Sequence, residues 1–215
     1  MKALILSLLL ALPAHAQDAI PSGGLLSDKD LLRLLTCGAK PDGDCTVRPV
    51  RWRNPDLTIS FGPIPRGYYD KRAARIEHAL DLAIATINAA GSAVHLTRVT
   101  GRADIELRPT LFRMGDKIHG EDGVTSGQHM SEGLFSIQPD LGGRIHSATI
   151  LIARDAAMPN IRSIVLEEMT QSLGFRFDVR GGAYQDTSIF AQWGNRITDI
   201  EGQDAAILRL YYPGD

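Results

Sequence analysis

The sequence predicts an α+β domain with the local strand–helix alternation of α/β proteins, and three stretches carry that reading. Ile76, Leu80, Ala83, Ile84 and Ile87 recur at helical spacing, so one long helix, from about Asp70 to Ala90, packs by a single apolar stripe and stops at Gly91. Ala103 to Arg108 alternates apolar and charged residues, the period of a half-exposed strand. His146 to Ala153 is a nearly continuous apolar run, which reads as a buried strand. It is followed by a second helix from about Asn160 to Leu173, with Gly174 as its C-cap.

The elements follow in order along the chain. Met1-Lys2, the apolar stretch Ala3 to Leu12 and the small-x-small triplet Ala14-His15-Ala16 have the form of a secretory signal peptide over residues 1–16. The alternative is an uncleaved anchor, for which the apolar stretch is short. No later stretch is apolar enough to span a bilayer, so we expect an exported protein, periplasmic or secreted, with no stable membrane anchor. Residues 17–50 form an N-terminal extension. Leu25, Leu26, Leu31, Leu32 and Leu35 mark a short helix, and a loop closed by Cys37 and Cys45 follows. Pro41-Asp42-Gly43 turns the chain between the cysteines, which favours a disulfide in an oxidising compartment. A redox or metal pair is the rival, though neither C-x-x-C spacing nor a flanking histidine is present.

The main domain covers residues 51–215. Asp56 to Phe61 reads as a strand ended by Gly62-Pro63-Ile64-Pro65, and Val94 to Val99 as another. Pro109 to Arg144 is Gly-rich and irregular, with one edge strand near Leu134 to Ile137. Near its end, Thr198 and Glu201 form a capping box for a C-terminal helix. A formal charge of -2 and a pI near 6.3 give no electrostatic footprint for nucleic acid.

The chemistry is concentrated in Glu167-Glu168-Met169-Thr170-Gln171-Ser172-Leu173-Gly174. The string resembles the H-E-x-x-H-x-L-G helix of zinc metalloproteases, with Glu167 and Gln171 at the two histidine positions and Glu168 at the general-base position. The order of elements is also that of zincins, whose active-site helix lies beneath a mixed sheet. Matrixin-type zincins continue with a Ser-Ile-Met turn under the metal and a last helix ending in Leu-Tyr-Gly. This chain has Ser188-Ile189-Phe190, with Phe190 at the Met position, and later Leu210-Tyr211-Tyr212. The combination from about Arg51 to Pro213 is similar to the exported bacterial proteins of domain-of-unknown-function family 2927.

The resemblance implies a zincin-like mixed sheet with the standard zinc site lost. The third ligand position falls on Phe177, a hydrocarbon, and its neighbour Asp178 would reach in only if the loop shifts. Zinc prefers imidazole and thiolate, so no zinc cofactor is expected. An oxygen set of Glu167, Gln171 and Asp178 would better suit calcium or another hard cation. Alternatively, Glu167 and Gln171 hydrogen-bond each other or nearby backbone across the former cleft. Metal-free acid/base work by Glu167 and Glu168 is a third reading, disfavoured because consecutive helix residues point roughly 100° apart.

His119, His129 and His146 could in principle rescue a metal site but read as surface or packing residues, and Trp52 and Trp193 as core or cleft-wall residues. The expected cleft residues are therefore Glu167, Gln171, Asp178, Ser188 and Phe190, with Glu168 as the ancestral base. The expected function is non-catalytic binding of a peptide or cell-envelope ligand. The alternative is a hydrolase or peptidase with an unorthodox metal site.

Overall fold

A computed structural model describes residues 19–194 and 196–214. The signal-peptide segment lies outside these residues. Among them, the elements in chain order are β1 (Ala19–Pro21), α1 (Asp28–Cys37), β2 (Arg51–Trp52), β3 (Asp56–Phe61), α2 (Asp70–Ala89), β4 (His95–Arg98), β5 (Ile105–Pro109), β6 (Gly133–Pro139), β7 (Arg144–Ile152), α3 (Ile161–Gln171), β8 (Asp178–Arg180) and α4 (Gly202–Tyr211). A single 3₁₀ turn, Met158–Asn160, leads into α3.

The larger sheet is mixed. β3 pairs in parallel with β4 and β5, and β5 with β7, while β6 runs antiparallel along β7. The short β2 joins β7 in parallel at Arg144 and Ile145. In β5, Ile105 and Leu107 are buried and Glu106 and Arg108 half-buried, as the alternation predicts. Ala148 to Ile152 of β7 is buried throughout. A strand with an uninterrupted apolar run needs cover on both faces. Helices α2 and α3 pack against each other and contact the strands. The Gly-rich segment supplies further cover where Gly123 (φ 76°) approaches the buried Thr149 so closely that a Cβ there would lie 2.4 Å from its Oγ1. That segment is less irregular than its composition suggests. Lys117 bridges His129, and the Gln138 amide donates to the Gly123 carbonyl at 3.0 Å.

α2 follows its predicted span and buries Ala73, Ile76, Ala79, Leu80, Ala83 and Ile87, with Ile84 only at the edge of the stripe. α1 begins later than the leucine pattern implies, because Ser27 caps it by accepting the Asp30 N–H. Leu25 consequently lies outside the helix and is exposed, while Leu31, Leu34 and Leu35 are fully buried. Gly38 ends α1 in the left-handed region, and Cys37 is the last helical residue rather than part of a following loop. Cys37 and Cys45 form the disulfide, with Cα atoms 5.0 Å apart.

Two features were not anticipated. β1 pairs in parallel with β8, Ala19 against Asp178, so the start of the described chain is laid beside the residue that follows α3 and its turn. The capping box is also absent. Glu201 is itself the N-cap of α4 and makes no side-chain cap bond, and the Thr198 carbonyl instead accepts from Arg162. The three-residue spacing from Thr198 to Glu201 matches the sequence signature, but the helix starts only at Gly202.

α3 stops at Gln171, and the chain reverses through Gly174 at φ 113°. A Cβ at Gly174 would lie 2.1 Å from the Val50 carbonyl oxygen. Gly174→Ala should therefore cost about 3 kcal/mol or more, read as a lowered urea midpoint; an unchanged midpoint would contradict the packing. Both cysteines should resist maleimide until reduced, and Cys37→Ala with Cys45→Ala should lower stability by about 2–3 kcal/mol.

Candidate functional site

Helix α3 carries Glu167, Glu168 and Gln171, as predicted, but turns the last two inward. Glu168 is 4% and Gln171 0% exposed, and Glu167 alone of the three is partly exposed. The expected groove-facing row is thus a buried cluster. Consecutive residues on the helix diverge, so Glu167 and Glu168 do not face a common point.

The partner that organises the cluster is Asp178. Gln171 Nε2 donates to Asp178 Oδ1 at 2.9 Å in a buried contact. No loop shift is needed, because pairing with β1 fixes β8 with Asp178 buried, while Phe177 packs beside Gly38. Gln171, expected to bond Glu167 or nearby backbone, thus spends an amide N–H on Asp178. On its other side the cluster meets the edge strand. Glu168 accepts the Phe135 backbone N–H, and Gly133 lies so near that a Cβ would come within 2.6 Å of the Glu168 side chain. Only glycine fits there.

Burial, with the charge of Asp178 beside it, pushes the Glu168 carboxyl up to about 8 against the opposing Phe135 N–H. Burial raises Asp178 to about 7 despite the Gln171 amide. Two acceptors in the cluster, Glu168 Oε2 and Gln171 Oε1, have no hydrogen-bond partner. Residues three apart on a helix share a face, so a proton on Glu168 would turn one of these acceptors into a donor for the other. At neutral pH the cluster therefore consists of a neutral carboxyl, an amide and one shared negative charge, which is far cheaper to bury than two.

Zinc does not fit this donor set. The cluster offers no imidazole or thiolate, and Phe177 is hydrocarbon. Among the described residues, no group of three His, Cys, Asp or Glu side chains is placed to hold a metal ion. His119 and His129 contact the carbonyls of Lys117 and Gly115, and His146 faces Asp140. Trp52 is core, its indole donating to the Ser172 carbonyl at 3.0 Å, but Trp193 is 62% exposed and lines no core.

The Ser188-Ile189-Phe190 turn packs directly behind this cluster. The Val179 N–H donates to the Phe190 carbonyl, and the Phe190 ring lies 5.0 Å from that of Phe175. Asp204 of α4 holds the turn, accepting from Ser188 Oγ at 2.7 Å and from the Ile189 N–H at 2.6 Å. Burial raises the Asp204 carboxyl to about 6 against both donors. Sequence reasoning missed Asp204, Gly133 and the Phe135 N–H. Only Asp204 left a signal, as an acid in the first turn of the last helix. A cleft of about 700 Å³ opens on the far side of the turn, lined by Tyr184, Ser188, Arg196 and Asp204 among others.

Fold and site define an α+β domain in which a mixed sheet and two helices enclose a carboxyl–amide cluster beside an antiparallel edge strand. The chain belongs to the family described as protein of unknown function (DUF2927), whose profile matches residues 66–214. The match starts after β3, leaving the disulfide arm outside it. No curated protein matches the chain.

Both cluster acids hold protons more tightly folded than unfolded. Their stabilising contribution is complete below the ordinary carboxyl range of about 4 and is lost as pH rises through about 7 to 8. Stability should therefore fall between pH 5 and pH 9. Glu168→Gln keeps the shape of the neutral carboxyl and cannot ionise. It should flatten that slope and raise stability at pH 9 by on the order of a few kcal/mol, read from urea midpoints at the two pH values. A variant equally sensitive to pH would contradict the assignment.

Proposed function

We propose that this protein is an exported, zincin-like domain that has exchanged the metal centre for a buried carboxyl–amide cluster and binds an extended peptide or cell-envelope strand. The observation that carries the reading is the position of β6. It is the antiparallel strand of the larger sheet, it lies along β7 at the sheet border, and α3 runs beside it. This is the place where zincins lay an extended substrate. Support for the ancestry comes from the strand order, from the motif helix directly after β7, and from the Ser-Ile-Phe turn behind the position of the former metal.

Strand addition uses main-chain groups that point away from the sheet. Backbone groups alternate along a strand, so if the Phe135 N–H faces Glu168 and not β7, that of Ile137 faces outward too. Ile137 then presents an open N–H on the pairing edge, while that of Phe135 is taken by Glu168, and the loss of zinc leaves this edge unaltered. The signal-peptide pattern and the Cys37–Cys45 disulfide support a periplasmic or secreted setting.

Fluorescence polarisation against a library of extended peptides should find binders, and Ile137→Pro should weaken them at least about tenfold, since an edge proline removes one outward N–H without breaking the ladder. Finding no binders, or finding unchanged affinity in Ile137→Pro, would remove this reading. With added zinc, we expect no chelator-sensitive peptide cleavage. Cleavage abolished by a chelator and by Glu168→Gln would favour a hydrolase instead.

A further inference from the structure

The C-terminal ends of β3, β5 and β7 lie side by side, the general location of ligand sites in parallel sheets. The loop after β3 runs into α2, whose N-cap Tyr69 makes no side-chain cap bond. The first helical N–H groups to find a backbone carbonyl are those of Arg72 and Ala73, both on the Tyr69 oxygen. A helix of 20 residues thus presents its positive end at this spot without a capping side chain.

Immediately before it stands Tyr68. Its side chain is 94% buried, being 6% exposed, yet its hydroxyl has no hydrogen-bond partner. An unpaired buried hydroxyl is uncommon and costly. Arg72 and Arg154 are the charged groups that act on that hydroxyl. Arg72 crosses from α2 to the loop after β7, where its Nη1 donates to the Ala156 carbonyl. Arg154 lies in that same loop, its backbone N–H fixed on the Phe112 carbonyl at 2.8 Å. Neither guanidinium forms an ion pair among the described residues. Of the nearby acids, Asp155 is engaged by the Met114 N–H at 2.9 Å, and Asp70 is exposed on the first turn of α2.

We propose that Tyr68, Arg72, Arg154 and the N-terminus of α2 form a binding site for a phosphate-type oxyanion. Burial keeps the Tyr68 hydroxyl protonated in spite of both cations, so it remains a donor. A tetrahedral anion would take this unspent O–H, the two guanidinium groups and the open helix N–H groups together. The buried phenol has no partner, and of the two cations that act on it Arg72 spends one N–H on the Ala156 carbonyl while neither forms an ion pair among the described residues. The rim carries exposed Tyr69 and Met114, which suits an anion joined to an apolar body as well as a free one.

The test is isothermal titration of the whole chain with inorganic phosphate at constant ionic strength, repeated with Tyr68→Phe and Arg154→Gln. Tyr68→Phe keeps the ring and its packing, and Arg154 is exposed, so neither change should unfold the protein. Each should weaken binding about tenfold, the scale of losing one hydrogen bond to a charged group. A second arm uses co-sedimentation with vesicles of phosphatidylglycerol or phosphatidylcholine. Retention on the anionic vesicles, lost in Arg154→Gln, assigns the oxyanion to a lipid headgroup. Phosphate binding without vesicle retention assigns it to a soluble phosphate compound. If the protein binds neither probe, or if both variants bind like the parent, the site does not exist. Because Ile137 pairs with Ala148, well before the C-terminal end of β7 at Ile152, Ile137→Pro should leave phosphate binding unchanged, which separates this outcome from that of the peptide reading.

Discussion

The end of α3 is the constraint on which the site depends. The last carbonyls of α3 accept from the backbone N–H groups of the turn that follows, and the carbonyls of that turn meet groups from distant parts of the chain. The Ser172 carbonyl accepts from the Trp52 indole, and the Leu173 carbonyl accepts from Tyr212 Oη at 2.5 Å. The Tyr211 hydroxyl donates to the Val50 carbonyl, whose oxygen also presses on Gly174. One helix terminus is thus held by β2 and by the end of α4 together. With that terminus fixed, Gln171 cannot rotate away, and its amide defines where Asp178 must sit. The burial that makes these bonds matter also raises the phenols, Tyr211 to about 12 and Tyr212 well above the ordinary range, so both remain donors across any physiological pH.

Glu167 and Gln171 stand where the metalloprotease motif they resemble has imidazoles, and they call for a different kind of order. A metal centre is held by charge and coordination. This cluster is held by an amide that donates to one carboxyl and offers its oxygen to another, an arrangement that works only if one carboxyl is neutral. An amide has both functions in one group at any pH, whereas a histidine loses its acceptor on protonation. Glu168 stands where the motif it resembles has the general base, but its buried environment suits a hydrogen-bond donor. Its contact with the Phe135 N–H links the state of the cluster to the edge strand.

Much of the fold was legible in the sequence because its signals were local. The apolar stripe of α2, the alternation in β5 and the apolar run of β7 each specify one element without reference to the rest. The family motif in α3 was legible for the same reason. What was not legible depends on pairing across the chain. A three-residue strand such as β1 or β8 has no period to detect and exists only because each finds the other. Asp178 inherits its inward position from that pairing, whereas sequence reasoning, which chose it over Phe177 for its oxygen atoms, expected it to reach in only through a shift of the loop. Leu25 shows the reverse failure: the leucine spacing continued the helix, but Ser27 captured the Asp30 N–H and started it later. The role of Asp204 likewise belongs to a turn that lies far from it along the chain.

The β1–β8 pairing also sets an order of events. A ribosome or a translocation pore delivers β1 first, and its partner strand only after most of the chain has followed. Until then the early segment has no ladder to join, and the Gln171–Asp178 contact has no strand to fix it. Contacts between such distant segments are the slow ones, because the closure of a long loop precedes any gain from the contact itself. The disulfide closes a short local loop and needs none of this, so it can tie off α1 early. The native state is thus completed last at the place where its chemistry resides, and an interrupted chain would carry a finished arm and an unfinished site.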